Sequence, residues 1–107
     1  MTVELPDGER RTFRAGADEY VLTAARRAGV ELPSMWEMGW DTACAVRVLD
    51  GRLDHSDARR YFPEDEAAGF ALICRARPLS DLRLRSHQTA AMREHRDEQG
   101  LPVPRGR

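Results

Sequence analysis

Two cysteines are all that this 107-residue chain contains, and their scarcity is the first constraint. Small secreted scaffolds depend on several disulfides, so two cysteines in a reducing compartment read as thiols or metal ligands rather than as a structural bridge. Long apolar runs are also missing. The run Phe70 to Cys74 is far shorter than the roughly 20 residues that cross a bilayer, and TVELPDGER at the N-terminus has no apolar signal core. Net charge is nearly absent too, since 17 basic and 18 acidic side chains give a formal charge of −1. No general attraction to phosphate backbones follows, and a nucleic-acid role has no electrostatic support. Nor is there a glycine-rich phosphate loop, a Ser-His-Asp set or a pair of carboxylates spaced for acid–base work, so the chain is expected not to be an enzyme. With 41% hydrophobic residues, it suits one cytoplasmic domain with a modest core.

The elements follow from local signals. Val3 and Leu5 alternate with polar neighbours, Pro6-Asp7-Gly8 is a turn, and Thr12 to Arg14 returns, which predicts an N-terminal hairpin. ADEYVLTAARRAG starts with acids, ends with Arg26 and Arg27, and has Gly29 where a helix stops, which predicts a helix over 17–28. Its apolar positions Val21, Leu22, Ala25 and Ala28 should lie across a sheet. Leu32-Pro33 breaks regular structure. Further on, Ala45 to Leu49 alternates, Asp50-Gly51 turns, and Arg52 to Asp54 returns as a second hairpin. Pro63 to Glu66 suits a short helical turn with proline in its first positions. Phe70 to Cys74 reads as a strand buried on both faces, and Asp81 to Arg85 as a half-exposed one. Gln88 to Gln99 is a charged helix with only Ala90, Ala91 and Met92 apolar, followed by an extended tail. The expected division is a domain over 1–86 and a C-terminal helix and tail over 87–107.

Strand, strand, helix, loop, strand, strand, turn, strand, strand is the order of an α+β, β-grasp domain: a mixed sheet with one helix packed across it. Three segments carry a family resemblance. DEYVLTAARRAGVELP resembles the helix and following segment of plant-type [2Fe-2S] ferredoxins, AVRVLDGRLDHSD resembles the hairpin after their third cysteine, and GFALICRARPLSDLRL resembles the segment of their fourth. The last is closest to the ferredoxin domains of bacterial oxygenase electron-transfer chains. Between them lies PSMWEMGWDTAC, Pro33 to Cys44, which occupies the cluster loop.

In that family the loop cysteines follow C-x4-C-x2-C with a distant fourth. Placing Cys44 third and Cys74 fourth puts Trp36 and Asp41 at the first two ligand positions. The resemblance implies that Cys44 and Cys74 share the inner iron and that the outer iron faces Trp36 and Asp41. Thiolates suit iron–sulfur sites; Asp41 offers a harder oxygen; the indole of Trp36 has an N–H and no lone pair. From these substitutions the expectation is a chain without cofactor. Its function would be that of a cluster-free accessory or adaptor subunit of an oxygenase or related redox enzyme, with Trp36 at a vestigial ligand position.

Met35, Trp36, Met38 and Trp40 would partly fill the vacated space and partly face the partner, together with the acidic Glu64, Asp65 and Glu66. The alternative is a working [2Fe-2S] electron carrier bound through Cys44, Cys74 and Asp41. A further alternative is a thiol/disulfide or single-metal site at Cys44 and Cys74. The Arg-rich C-terminal segment, Arg83 to Arg107, reads as a solvated helix and tail.

Overall fold

A computed structural model describes residues 1–34 and 42–103. The sheet has five strands in the order β2-β1-β7-β3-β5, where β1 is Thr2–Glu4, β2 Arg10–Thr12, β3 Ala45–Asp50, β5 Phe70–Leu72 and β7 Arg83–Arg85. The β1–β7 pair is parallel and the others are antiparallel, so the sheet is mixed. The β-grasp expectation holds. Central β7 exposes Arg83 and Arg85 on one face and buries Leu84 on the other, as its alternation predicts.

The N-terminal hairpin forms with Val3 opposite Arg11, two residues earlier in its return strand than expected. Helix α1 spans Val21–Arg27, shorter than the 17–28 expectation. Glu19 explains the late start: its backbone N–H donates to Gly16 O at 3.0 Å and its carboxylate takes two N–H bonds from Arg27. Glu19 therefore stabilises a turn ahead of the helix instead of its first turn. Val21, Leu22, Ala24 and Ala25 are buried, while Ala28 is exposed.

The second hairpin is not formed as predicted. β4, Leu53–Asp54, pairs with β6, Arg77–Pro78, in a separate two-stranded sheet, and β3 instead runs between β7 and β5. Gly51 turns the chain at φ +100°, and a Cβ there would lie 2.2 Å from Asp81 O. The chain therefore passes under the 80–82 segment instead of folding back along β3. Helix α2, Pro63–Ala67, has proline in its first turn as expected. Beyond β5, residues Ile73–Arg75 tighten into a 3₁₀ turn, so Cys74 lies on a turn and not inside a strand.

Helix α3, Thr89–Gln99, does not have the solvated surroundings its charge suggests. Met92 and Arg96, four residues apart and so on one face, are fully buried with the rest of the core.

Candidate functional site

Cys44 ends the turn that leads into β3, and Cys74 sits on the 3₁₀ turn after β5, which pairs with β3 so that Ala45 faces Leu72. That register brings residues thirty positions apart in sequence to one point: the Sγ atoms lie 2.9 Å apart, both buried, with both cysteines unbridged. Two thiolates on one tetrahedral metal ion, with metal–sulfur bonds of about 2.3 Å, stand a little under about 4 Å apart. The pair thus stands about 1 Å closer than two thiolates that share a metal ion. Around them the first residues of α1 are tied to the cysteine turn, since Val21 N–H donates to Ala76 O at 2.9 Å.

The remaining predicted site residues divide. Met35, Trp36, Met38, Trp40 and Asp41 lie outside the described residues, as do Arg105 and Arg107. Glu64 and Glu66 are exposed on α2. Asp65 is not at the surface, and its expected role in meeting a partner is corrected. Its carboxylate is fully buried, accepting from Phe62 N–H at 3.0 Å, from Arg96 Nη2 at 3.0 Å and facing His95 Nε2 at 3.1 Å. A carboxylate held by Phe62 N–H and the Arg96 guanidinium, with no exposed surface, has no oxygen to offer a docking protein. Arg96 likewise leaves the Arg-rich surface, donating also to Arg60 O at 2.7 Å.

Among the described residues, no three His, Cys, Asp or Glu side chains gather as a metal site. His55 stacks on Tyr61 with ring centroids 3.5 Å apart, and its Nε2 accepts the Leu72 N–H at 3.0 Å. Burial lowers its pKa to about 4, so it is neutral at physiological pH, and burial likewise pushes the Tyr61 hydroxyl well up. Tyr61 donates that hydroxyl to Phe70 O at 2.5 Å. Both rings hold up the strand that leads to Cys74. On the far side of the cysteine turn, Tyr20 donates to Asp57 at 2.5 Å and lies beneath Arg77, which pairs with the same carboxylate.

Sequence reading missed the residues that hold the other end of the site. Thr42, fully buried, accepts from Arg93 Nε at 3.0 Å through Oγ1, and its carbonyl oxygen accepts from Thr89 Oγ1 at 2.8 Å. The only signal for an inward-facing α3 was the Met92–Arg96 spacing, and an arginine there reads as solvated by default.

A mixed β-grasp sheet with two buried thiols meeting beside the start of β3 has the layout of a ferredoxin-type domain. The sequence profile described as "2Fe-2S iron-sulfur cluster binding domain" matches residues 5–79, and the chain belongs to that family. It is 42% identical over 81 residues to Ferredoxin-2 of Synechococcus, covering 76% of this chain and 77% of that one. The reductase subunit of an aromatic O-demethylase from Amycolatopsis is 35% identical over 97 residues, covering 89% of this chain but only 29% of its own length. The crystal structure of an Amycolatopsis cytochrome P450 reductase superposes with a TM-score of 0.68 at 34% identity, covering 80% of this chain and 26% of the reductase. No helix among the described residues is long and apolar enough to cross a membrane.

These relatives correct the expectation of a chain without cofactor. The matching family is a cluster-binding one and the 42% identical relative is a ferredoxin, so the cofactor that goes with this chain's family is [2Fe-2S]. Of the three functional readings, the electron carrier fits that family better than the accessory subunit. The donor set meets the cluster unevenly. Cys44 and Cys74 supply two converging thiols, which suit iron, while of the residues that the resemblance sets at the other two ligand positions, Asp41 offers one oxygen and Trp36 no lone pair.

Proposed function

We propose that the chain is a non-catalytic electron carrier serving an oxygenase or the reductase that feeds one. In this reading Cys44 and Cys74 would hold a [2Fe-2S] cluster, with Asp41 as a further candidate ligand and no donor from Trp36. The observation that carries it is the convergence of the two buried thiols at 2.9 Å. The cluster, when bound, supplies one-electron transfer; the chain supplies a buried mount for one side of it. The O-demethylase reductase and P450 reductase relatives support a partner of the oxygenase-chain type. The partner face would draw on Met35, Trp36, Met38 and Trp40, since Trp and Met are enriched at interface cores, and on the exposed Glu64 and Glu66. A cytoplasmic location goes with the reduced thiols.

The test is purification without air, followed by iron and sulfide analysis, a visible spectrum and electron paramagnetic resonance after reduction. Two irons and two sulfides per chain with a visible charge-transfer band are expected. A colourless protein without iron overturns the electron-carrier reading.

A further inference from the structure

The structure assigns Thr89 and Arg93 of α3 a role as positioning residues for Cys44. Hydrogen bonds from the start of α3 bracket that cysteine on both sides. Before it, Thr89 Oγ1 donates to Thr42 O at 2.8 Å, with Ala43 O at 3.3 Å, and Arg93 Nε donates to Thr42 Oγ1 at 3.0 Å. After it, Gln88 N–H donates to Ala45 O at 3.0 Å. Within the same segment a turn bond runs from Ala45 N–H to Thr42 O at 3.2 Å, and Ala45 pairs with Leu72 of β5. Thr42 is 0% exposed, so water cannot replace these partners while the fold stays closed, and each lost bond leaves a buried polar group unsatisfied.

Toward its C-terminal end α3 is pinned independently, through Arg96 on Asp65. A helix fixed at one end therefore presents three donors at the other, all aimed at the residues flanking Cys44. Cys74 has a different support, in the strand β5 and the His55 ring that accepts the Leu72 N–H. The two thiols share the β3–β5 pairing, to which α3 adds its bonds on the segment of Cys44. This inference rests on the reading of Cys44 as a cluster ligand.

Hydrogen exchange on the full chain as purified, with iron content measured on the same samples, tests it. Thr89→Val and Arg93→Met should each raise exchange at residues 42–46 at least tenfold, with β1 and β7 within twofold of the parent. Thr89→Ser, which restores the hydroxyl, should return residues 42–46 to the parent rate and with them the iron content. Unchanged exchange at 42–46, a rise shared equally by the whole sheet, or Thr89→Ser behaving as Thr89→Val would each overturn the positioning role. If 42–46 loosens selectively in a protein that never held iron, the clamp stands and the ligand reading of Cys44 falls.

Discussion

Arg96 Nη2 meets Asp65 Oδ2 at 3.0 Å in an ion pair from which solvent is excluded, both side chains being 0% exposed. The pair joins α3 to α2 and holds the C-terminal helix on the domain. Because the remaining partner would be a buried charge without its counter-ion, removing one member costs about 3–5 kcal/mol.

Arg96→Met should therefore lower the unfolding free energy by about 3 kcal/mol or more, read from urea denaturation. Asp65→Leu combined with Arg96→Met should recover much of that loss, since neither charge then remains buried. A loss below about 1 kcal/mol in the single variant would show that α3 is not held by this pair.

His55 carries a pH dependence. Its pKa in the fold is lowered from 6.5 to about 4, first by burial, against the opposing pull of Asp54 and Asp65. The unfolded chain then binds more protons below pH 6.5, so His55's contribution is fully present above that pH and is lost as pH falls toward 4. The loss between pH 7 and pH 4 is about 3 kcal/mol. His55→Gln should flatten that part of the stability curve relative to the parent, and parallel curves for the two proteins would refute the assignment.

Gly51 and Gly8 separate backbone strain from collision. Both have positive φ, +100° and +87°, but a Cβ at Gly51 would meet Asp81 O at 2.2 Å and one at Gly8 would meet nothing within 4 Å. Gly8→Ala should cost about 1 kcal/mol. Gly51→Ala should cost at least about 3 kcal/mol, because the chain must also move away from the 80–82 segment. Equal melting temperatures for the two variants would contradict the packing at Gly51.

Restoring thiolates at both divergent positions, Trp36→Cys with Asp41→Cys, should stabilise the cluster against air. We expect the visible absorbance to persist at least ten times longer than in the parent, because all four ligands are then the soft donors iron–sulfur sites favour. Cys44→Ser or Cys74→Ser should abolish the absorbance. An air lifetime unaltered by the double substitution would mean that positions 36 and 41 do not face the metal.

Trp40→Ala probes the partner face without touching a ligand position. Binding to the cognate redox enzyme, measured by titration, should weaken at least tenfold, about 1.4 kcal/mol, with the melting curve unchanged. Unchanged affinity would place docking elsewhere on the surface.

Local chemistry was enough to read most of the elements: the turn at Pro6-Asp7-Gly8, the helix around Val21–Arg27, the proline-started α2 and the alternation of β7. Each depends on residues close together in sequence, and the family spacing placed Cys44 and Cys74 at one metal position. Three matters were decided only by the tertiary structure. Gly51, pressed under Asp81, sent β4 to β6 instead of β3. Asp65 and Arg96, which look like surface charges, became a buried pair because they lie 31 residues apart and meet only when α3 closes on α2. Thr42, unremarked among polar loop residues, acquired its partners from Thr89 and Arg93, 47 and 51 residues away. Composition and periodicity report what a residue prefers against water, whereas these positions were set by which distant donor or acceptor the closed fold brought within bonding distance.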